Sequence, residues 1–349
     1  MPPDLELSIV IPTINEENSL PLALASLAAQ REIRVEIIVS DGGSQDSTGR
    51  IAADAVLPAG FLTGRAGRAC QLNAGAAAAR GEFILFMHAD SAFADASALR
   101  GAIDHLRQAS AASGGRLFAG HFGLRFRRSS SDRSLAYSYY ERKARLNRVG
   151  CAHGDQGILI PAELFSKSGG FDESCGLLAE TRFADRLREQ GAWLLLPREI
   201  TTSTRRFDTE GMKERQTLNA VIMALAAADR YDIVGSLPDL YREQGKSAKL
   251  DLQPVFQALA ASLSVLTAAE RADFWARVGS YICGNAWQIL FFMDVLAGCR
   301  CRRRVDSSRT VFLEIYDRHL DGVLKGRIAA RLAAGASRYW LRYRLLKRS

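Results

Sequence analysis

Short apolar runs alternate with segments of helical spacing through the first half of the chain. Residues 7–12 (LSIVIP) form a continuous apolar run that ends at a proline. That is the pattern of a strand buried on both faces of a parallel sheet. Leucines at helical spacing follow over 19–30. A second run, 35–39 (VEIIV), ends at Ser40-Asp41-Gly42-Gly43, and a third, 82–87, ends on His88, Ala89 and Asp90. A short helix over 46–53 and an alanine-rich helix over 68–80 occupy the intervals. This alternation predicts an α/β fold with a mostly parallel sheet flanked by helices. Ligands of such sheets collect outside the carboxyl ends of the strands. The segments after Pro12, Val39 and Met87 are therefore expected to converge.

The middle of the chain is less regular. Strands are predicted over 117–126, 157–160 and 193–196, and helices over 134–146, 161–168 and 179–190. Beyond about residue 212 strand patterns disappear. Residues 218–227, 254–268, 269–296 and 310–348 all read as helices, with 245–251 as a linker. The expected division is 1–211, comprising halves of about 1–95 and 96–211, and an all-helical C-terminal extension over 212–349. The most apolar stretch, 281–298, is interrupted by Asn285, Gln288 and Asp294. It falls short of the roughly 18 uninterrupted apolar residues of a spanning helix, so it is read as a buried helix.

Composition changes this picture little. The 349 residues are 48% hydrophobic and 24% charged, which is ordinary for a globular chain. No charged segment followed by an apolar stretch and a cleavage site opens the sequence, so a cytoplasmic location is expected. Cysteines 70, 151, 175, 283, 299 and 301 make no CxxC pair and are read as reduced thiols. Charge is more telling. The chain carries +8, but residues 300–349 hold 14 Lys/Arg against 4 Asp/Glu, leaving the first 299 residues at −2. The basic tail "GASRYWLRYRLLKRS" mixes aromatics, leucines and cations. Such a helix either packs on its own domain with a solvated basic face or docks on an anionic membrane surface. No nucleic-acid motif accompanies it, so no nucleic acid is expected.

Four stretches carry candidate chemistry: "SIVIPTINEENSLPLAL", "VEIIVSDGGSQDST", "GRACQLNAGAAAARGEFILFMHADS" and "GDQGILI". In order and spacing they resemble the family 2 glycosyltransferases of the GT-A (Rossmann-like) fold, over roughly residues 7–210. With "TSTRRF" (202–207), they look most like a bacterial subgroup linked to arsenosugar biosynthesis. The resemblance implies an inverting transfer of a sugar from a nucleotide-sugar donor, a UDP-sugar being favoured. It also implies donor contacts from Pro12, Thr13, Glu16 and Asp41, from Arg68 and Asn73, from His88, Ala89 and Asp90, and from Arg205 and Arg206. His153, Asp155 and Gln156 match the family's sugar-contacting loop. Each has a plainer reading. Glu16 suits a first-turn helix carboxylate, and Asp41 suits a turn. Arg68 suits an exposed basic helix start, although Gly67 and the helix N-terminus it opens would also attract a phosphate.

Most of the family carries Asp-x-Asp where this chain has His88-Ala89-Asp90. Residues two apart on a strand share a face, so His88 and Asp90 both suit a metal facing the donor. Mg²⁺ or Mn²⁺ favours carboxylate oxygens and retains water, so Asp90 with phosphate oxygens suffices. The family's catalytic Glu-Asp pair aligns, counting back from Gly191, with Ala179-Glu180. Glu180 is then the base that takes the acceptor proton. Counting forward instead puts Thr181 there and leaves no carboxylate. The departures at Ala179 and His88 motivate a rival: a degenerate transferase fold serving as a nucleotide-sugar-binding or scaffolding protein.

Overall fold

The structure is a computed structural model. It describes residues 5–55, 57, 59–128, 134–242, 249–300 and 310–346. The expected linker over 245–251 lies mostly outside these. The chain forms two compact units, one of residues 1–132 with Tyr140–Thr204, the other of 133–139 with Arg205–Ser349.

The first unit is built on an eight-stranded sheet. Its strands are β1 (Leu7–Thr13), β2 (Val35–Asp41), β3 (Ala59–Thr63), β4 (Phe83–Phe86), β5 (Ser91–Ala92), β6 (Ala119–Arg127), β7 (Ile158–Pro161) and β8 (Trp193–Ser203). They lie in the order β3-β2-β1-β4-β7-β6-β8-β5. β1 pairs in parallel with β2 and β4, β2 with β3, and β6 with β8. β7 runs antiparallel to β4 and β6, and β5 antiparallel to β8. The expected α/β sheet flanked by helices is present, with antiparallel pairings concentrated in its second half.

The helices are α1 (Leu20–Ala28), α2 (Thr48–Ala53), α3 (Arg68–Ala78), α4 (Ala98–Ala112), α5 (Leu135–Lys143), α6 (Ala162–Lys167) and α7 (Ala179–Glu189). Leu7, Ile9 and Ile11 of β1 join Leu85, Phe122, Leu159 and Ile200 in one core, all at 3% exposure or less. Ser8 faces the other way, where its hydroxyl accepts from the Gly81 amide at 2.8 Å. Both faces of β1 are thus covered, as its unbroken apolar run requires. The C-terminal ends of β1, β2 and β4 lie side by side, which places the three polar segments of interest at one edge.

The second unit is helical, as expected. It contains α8 (Arg205–Glu210), α9 (Met212–Ala227), α10 (Tyr231–Arg242), α11 (Gln253–Ser264), α12 (Ala268–Gly284), α13 (Trp287–Arg300), α14 (Val311–Ile315), α15 (Asp321–Leu324) and α16 (Arg327–Leu346). Two expected long helices are broken. The one over 269–296 turns at Asn285, and the one over 310–348 passes through a π-turn at Tyr316–Leu320. The span Ala268–Cys299 is long and apolar enough by composition to cross a membrane, but 33% of its most apolar window is buried within the unit. Phe291, Asp294 and Val295 face inward, while Ile289, Phe292 and Met293 are exposed, so the expectation of a buried helix holds for one face only. Asp294 accepts from the amides of Phe312 and Leu313 at 3.0 and 2.8 Å, closing the start of α14. The described cysteines are free thiols.

Candidate active site

The loops after β1 and β2 are laced together. The Glu16 amide donates to Thr48 Oγ1 at 2.9 Å, and the Ser47 amide donates to Glu17 Oε2 at 3.0 Å. Pro12 and Thr13 end β1 beside this loop. The Asp41 carboxylate accepts from Thr13 Oγ1 at 2.9 Å, from the Gly43 and Ser44 amides at 2.9 and 2.8 Å, and from the Ser44 hydroxyl. Burial alone would raise its pKa, but these donors outweigh it and hold the carboxyl below its usual range. Asp41 therefore organises its own turn. Gln71, which the sequence did not single out, reaches from α3 to both strand ends. Its buried Nε2 donates to the carbonyls of Thr13 and Ser40, each at 2.8 Å. A buried amide inside an alanine-rich helix was the available signal.

Asn73 bonds to a neighbouring loop. Its Nδ2 donates to the Phe171 carbonyl at 2.9 Å and its Oδ1 accepts from the Phe171 amide at 3.0 Å. Both sides of the amide hold segment 170–173 against α3.

The centre of the site forms where α3, the β4–β5 turn, the 153–156 turn and α7 meet. Arg68 opens α3 and Glu180 opens α7. His88 Nε2 lies 3.0 Å from Glu180 Oε1, Arg68 Nη1 lies 3.5 Å from Glu180 Oε2, and Arg68 Nη1 lies 3.3 Å from His88 Nε2. Glu180 is 4% exposed. Burial opposes its charge, but His88 and Arg68 outweigh that and hold its carboxyl down at about 2. Glu180 is thus an anchored carboxylate. Its Oε1 sits where a side chain on residue 154 would be: a Cβ on Gly154 would come within 1.9 Å of it.

Asp90 and Ala89 follow His88 in the turn. Arg127 Nη2 donates to the Asp90 carbonyl at 3.2 Å, and Thr202 Oγ1 approaches Asp90 Oδ1 at 3.5 Å. This leaves most of the Asp90 carboxylate's lone pairs for other partners. Asp155 Oδ1 is buried without a hydrogen-bond partner. Desolvation pushes its carboxyl up to about 6; Asp90 and Glu180 add to the rise, while His88 and Arg68 oppose it. Gln156 donates through Nε2 to the Cys151 carbonyl at 2.9 Å, and its Oε1 is likewise buried without a partner. His153 Nδ1 meets Thr181 Oγ1 at 2.9 Å, and burial followed by the Lys143 charge pushes its pKa down to about 3.

The structure brings Arg68, His88, Asp90, Asp155 and Glu180 together. Arg205 and Arg206 open α8 in the second unit. Among the described residues no group of three or more His, Cys, Asp or Glu stands ready to hold a metal ion. A hard divalent cation is still compatible with Asp90, whose carboxylate is nearly unengaged, if donor phosphate and water complete its shell. His88 fits that role poorly, because its Nε2 faces Glu180.

Residues 8–162 match the family model described as Glycosyl transferase family 2. That stretch of the first unit is similar to the glycosyltransferases of that family. Among curated proteins none matches. Two solved structures are similar in outline. The mannosyltransferase PcManGT from Pyrobaculum calidifontis, in complex with GDP-Man and Mn²⁺, is 16% identical with a TM-score of 0.48, covering 97% of this chain and 88% of that one. S. aureus TarS 1–349 in complex with UDP is 16% identical with a TM-score of 0.49, covering 90% and 92%.

Proposed function

We propose that this chain is an inverting, divalent-metal-dependent glycosyltransferase that moves a sugar from a nucleotide-sugar donor to an acceptor nucleophile. The observation that carries this reading is the convergence of Arg68, His88, Asp90, Asp155 and Glu180 at the strand ends. In the reaction the acceptor oxygen attacks the anomeric carbon from the face opposite the leaving group. The bond from that carbon to the diphosphate oxygen breaks, and the acceptor proton passes to a carboxylate. Asp90 would hold Mg²⁺ or Mn²⁺, which neutralises charge on the departing diphosphate. Arg68, at the start of α3, supports the same anion.

Counted back from Gly191, Glu180 aligns with the family's base. As found, its pairing with His88 and Arg68 makes it a weak proton acceptor; transfer of Arg68 to the donor diphosphate would strengthen it. A specific observation favours a second assignment. Asp155 has a buried, unengaged oxygen and a carboxyl raised towards neutrality, where general bases work best. Comparing Glu180→Gln with Asp155→Asn decides between them: the base variant loses kcat by roughly 10²–10⁴-fold, with donor affinity little changed.

Asp90→Ala tests the whole reading. Transfer and donor hydrolysis should be abolished while the thermal melt is retained, and chelation of the wild-type protein should do the same. Activity indifferent to both would end the metal assignment. Screening UDP-, GDP- and dTDP-sugars with Mn²⁺ for thermal stabilisation identifies the donor, with a UDP-sugar expected. Tight binding of any of them with no turnover would instead support the scaffolding rival. We also propose membership of the arsenosugar-linked subgroup and a cytoplasmic location.

A further inference from the structure

The last helix of the second unit has two unlike faces. On one, Ala334 and Leu341 are buried. This face lies against α12, where Gly279 leaves room for the Ala330 carbonyl, a Cβ there falling 2.1 Å from it. It also meets α11: Gln253 Nε2 donates to the Arg344 carbonyl at 3.0 Å, and Trp340 packs edge-on against Phe256 at 5.4 Å. These contacts of α16 are made on that side.

The opposite face carries large apolar side chains along the whole helix. Ile328, Leu332, Tyr339, Tyr343 and Leu346 are 76%, 71%, 73%, 49% and 83% exposed. Their spacings of four, seven, four and three keep them within one narrow stripe of a 3.6-residue helix. Single exposed apolar residues are normal, but a continuous row marks an interaction surface. Arg331, Arg338 and Arg342 are exposed beside the row, and α16 contains five arginines and no carboxylate.

We propose that this stripe of α16 lies on an anionic lipid surface, with its apolar row at the acyl boundary and its arginines among the headgroups. Apolar residues edged by arginine and tyrosine suit that interface. Charge complementarity selects this occupant. Pairing with the same stripe of a second copy would bring rows of arginine together, and a nucleic acid has no use for the exposed aliphatic side chains. The inference stands independently of the transferase reading.

The test is cosedimentation of the full-length protein with phosphatidylcholine vesicles, with and without phosphatidylglycerol. Binding should require the anionic lipid and weaken with salt. The triple variant Arg331→Gln, Arg338→Gln, Arg342→Gln should bind roughly a hundredfold more weakly. The variant Leu332→Ser, Tyr339→Ser, Leu346→Ser should lose binding while its thermal melt and donor binding stay unchanged, because these side chains are exposed. Equal binding by either variant and the wild type would overturn the proposal. So would equal binding to neutral vesicles. A dimer in sedimentation velocity that the serine variant abolishes would assign the stripe to a second copy and overturn it too.

Discussion

Glu180 and Gly154 meet closely enough that the smallest added side chain decides the site's geometry. A methyl group at 154 falls 1.9 Å from Glu180 Oε1, so Gly154→Ala must push the carboxylate off His88. Misplacing a catalytic group by about 1 Å costs on the order of 10²-fold in rate, and overpacking costs about 1–3 kcal/mol in stability. A steady-state assay beside a thermal melt should therefore show activity falling far more than stability. Unchanged kcat would show that the His88–Glu180 contact is dispensable. Much of this site was legible in the sequence, because strand-end motifs place their residues by chain order alone. Asp90 follows β4 in that way, whereas Glu180 is reached only by counting back from Gly191 along a helix. The pairing of His88 with Glu180 was not legible, since 92 positions separate them and only the folded sheet joins them. Nor was it legible that Asn73 clamps Phe171, because an amide serves a ligand or a backbone equally well.

Among elements, the buried central strands were the easiest to read. The 7–12, 35–39 and 82–87 runs all became strands because a strand covered on both faces must be continuously apolar. β3 (AGFLT) was missed because an edge strand needs no such run, and β5 because two residues carry no period. Helix breaks were missed for a related reason. The turn at Asn285 and the π-turn over Tyr316–Leu320 leave the apolar spacing almost undisturbed. The contact of α12 with α16 yields a prediction at this scale. A leucine at Gly279 would need space held by the Ala330 carbonyl and the Ala334 amide. Gly279→Leu should lower the stability of the helical unit by about 1–3 kcal/mol, as overpacking does. Hydrogen exchange should show this in α12 and α16 peptides, with β1 and β2 peptides unaffected. Equal protection in the variant would mean that the two helices do not pack closely in solution.

At the scale of the molecule, the two units should respond differently to acid, and His121 is the main reason. It is fully buried in β6, where Trp193 Nε1 donates to its Nδ1 at 2.9 Å. Its Nε2 must then carry the proton, which it donates to the Ala144 carbonyl at 2.9 Å. The neutral ring is satisfied at both nitrogens, and a second proton would displace the tryptophan bond. Burial thus pushes its pKa down to about 4 from an ordinary 6.5. Below pH 6.5 the unfolded chain binds a proton that the folded chain refuses, so stability present above 6.5 is lost as pH falls towards 4. The shift corresponds to on the order of 3 kcal/mol. His153, pushed down to about 3, acts in the same direction, while Asp155, raised to about 6, takes up its proton in the folded state and offsets part of the loss. Both of these histidines lie in the first unit. Exchange of β6 and β8 amides, corrected for intrinsic rate, should therefore report a falling opening free energy between pH 6.5 and 4.5. Amides of α12 and α16 should change little over that range. His121→Gln keeps a donor and an acceptor but removes the titration, so it should flatten the response of β6. A wild-type β6 whose protection is flat across this window would mean that His121 already accepts its proton in the folded protein.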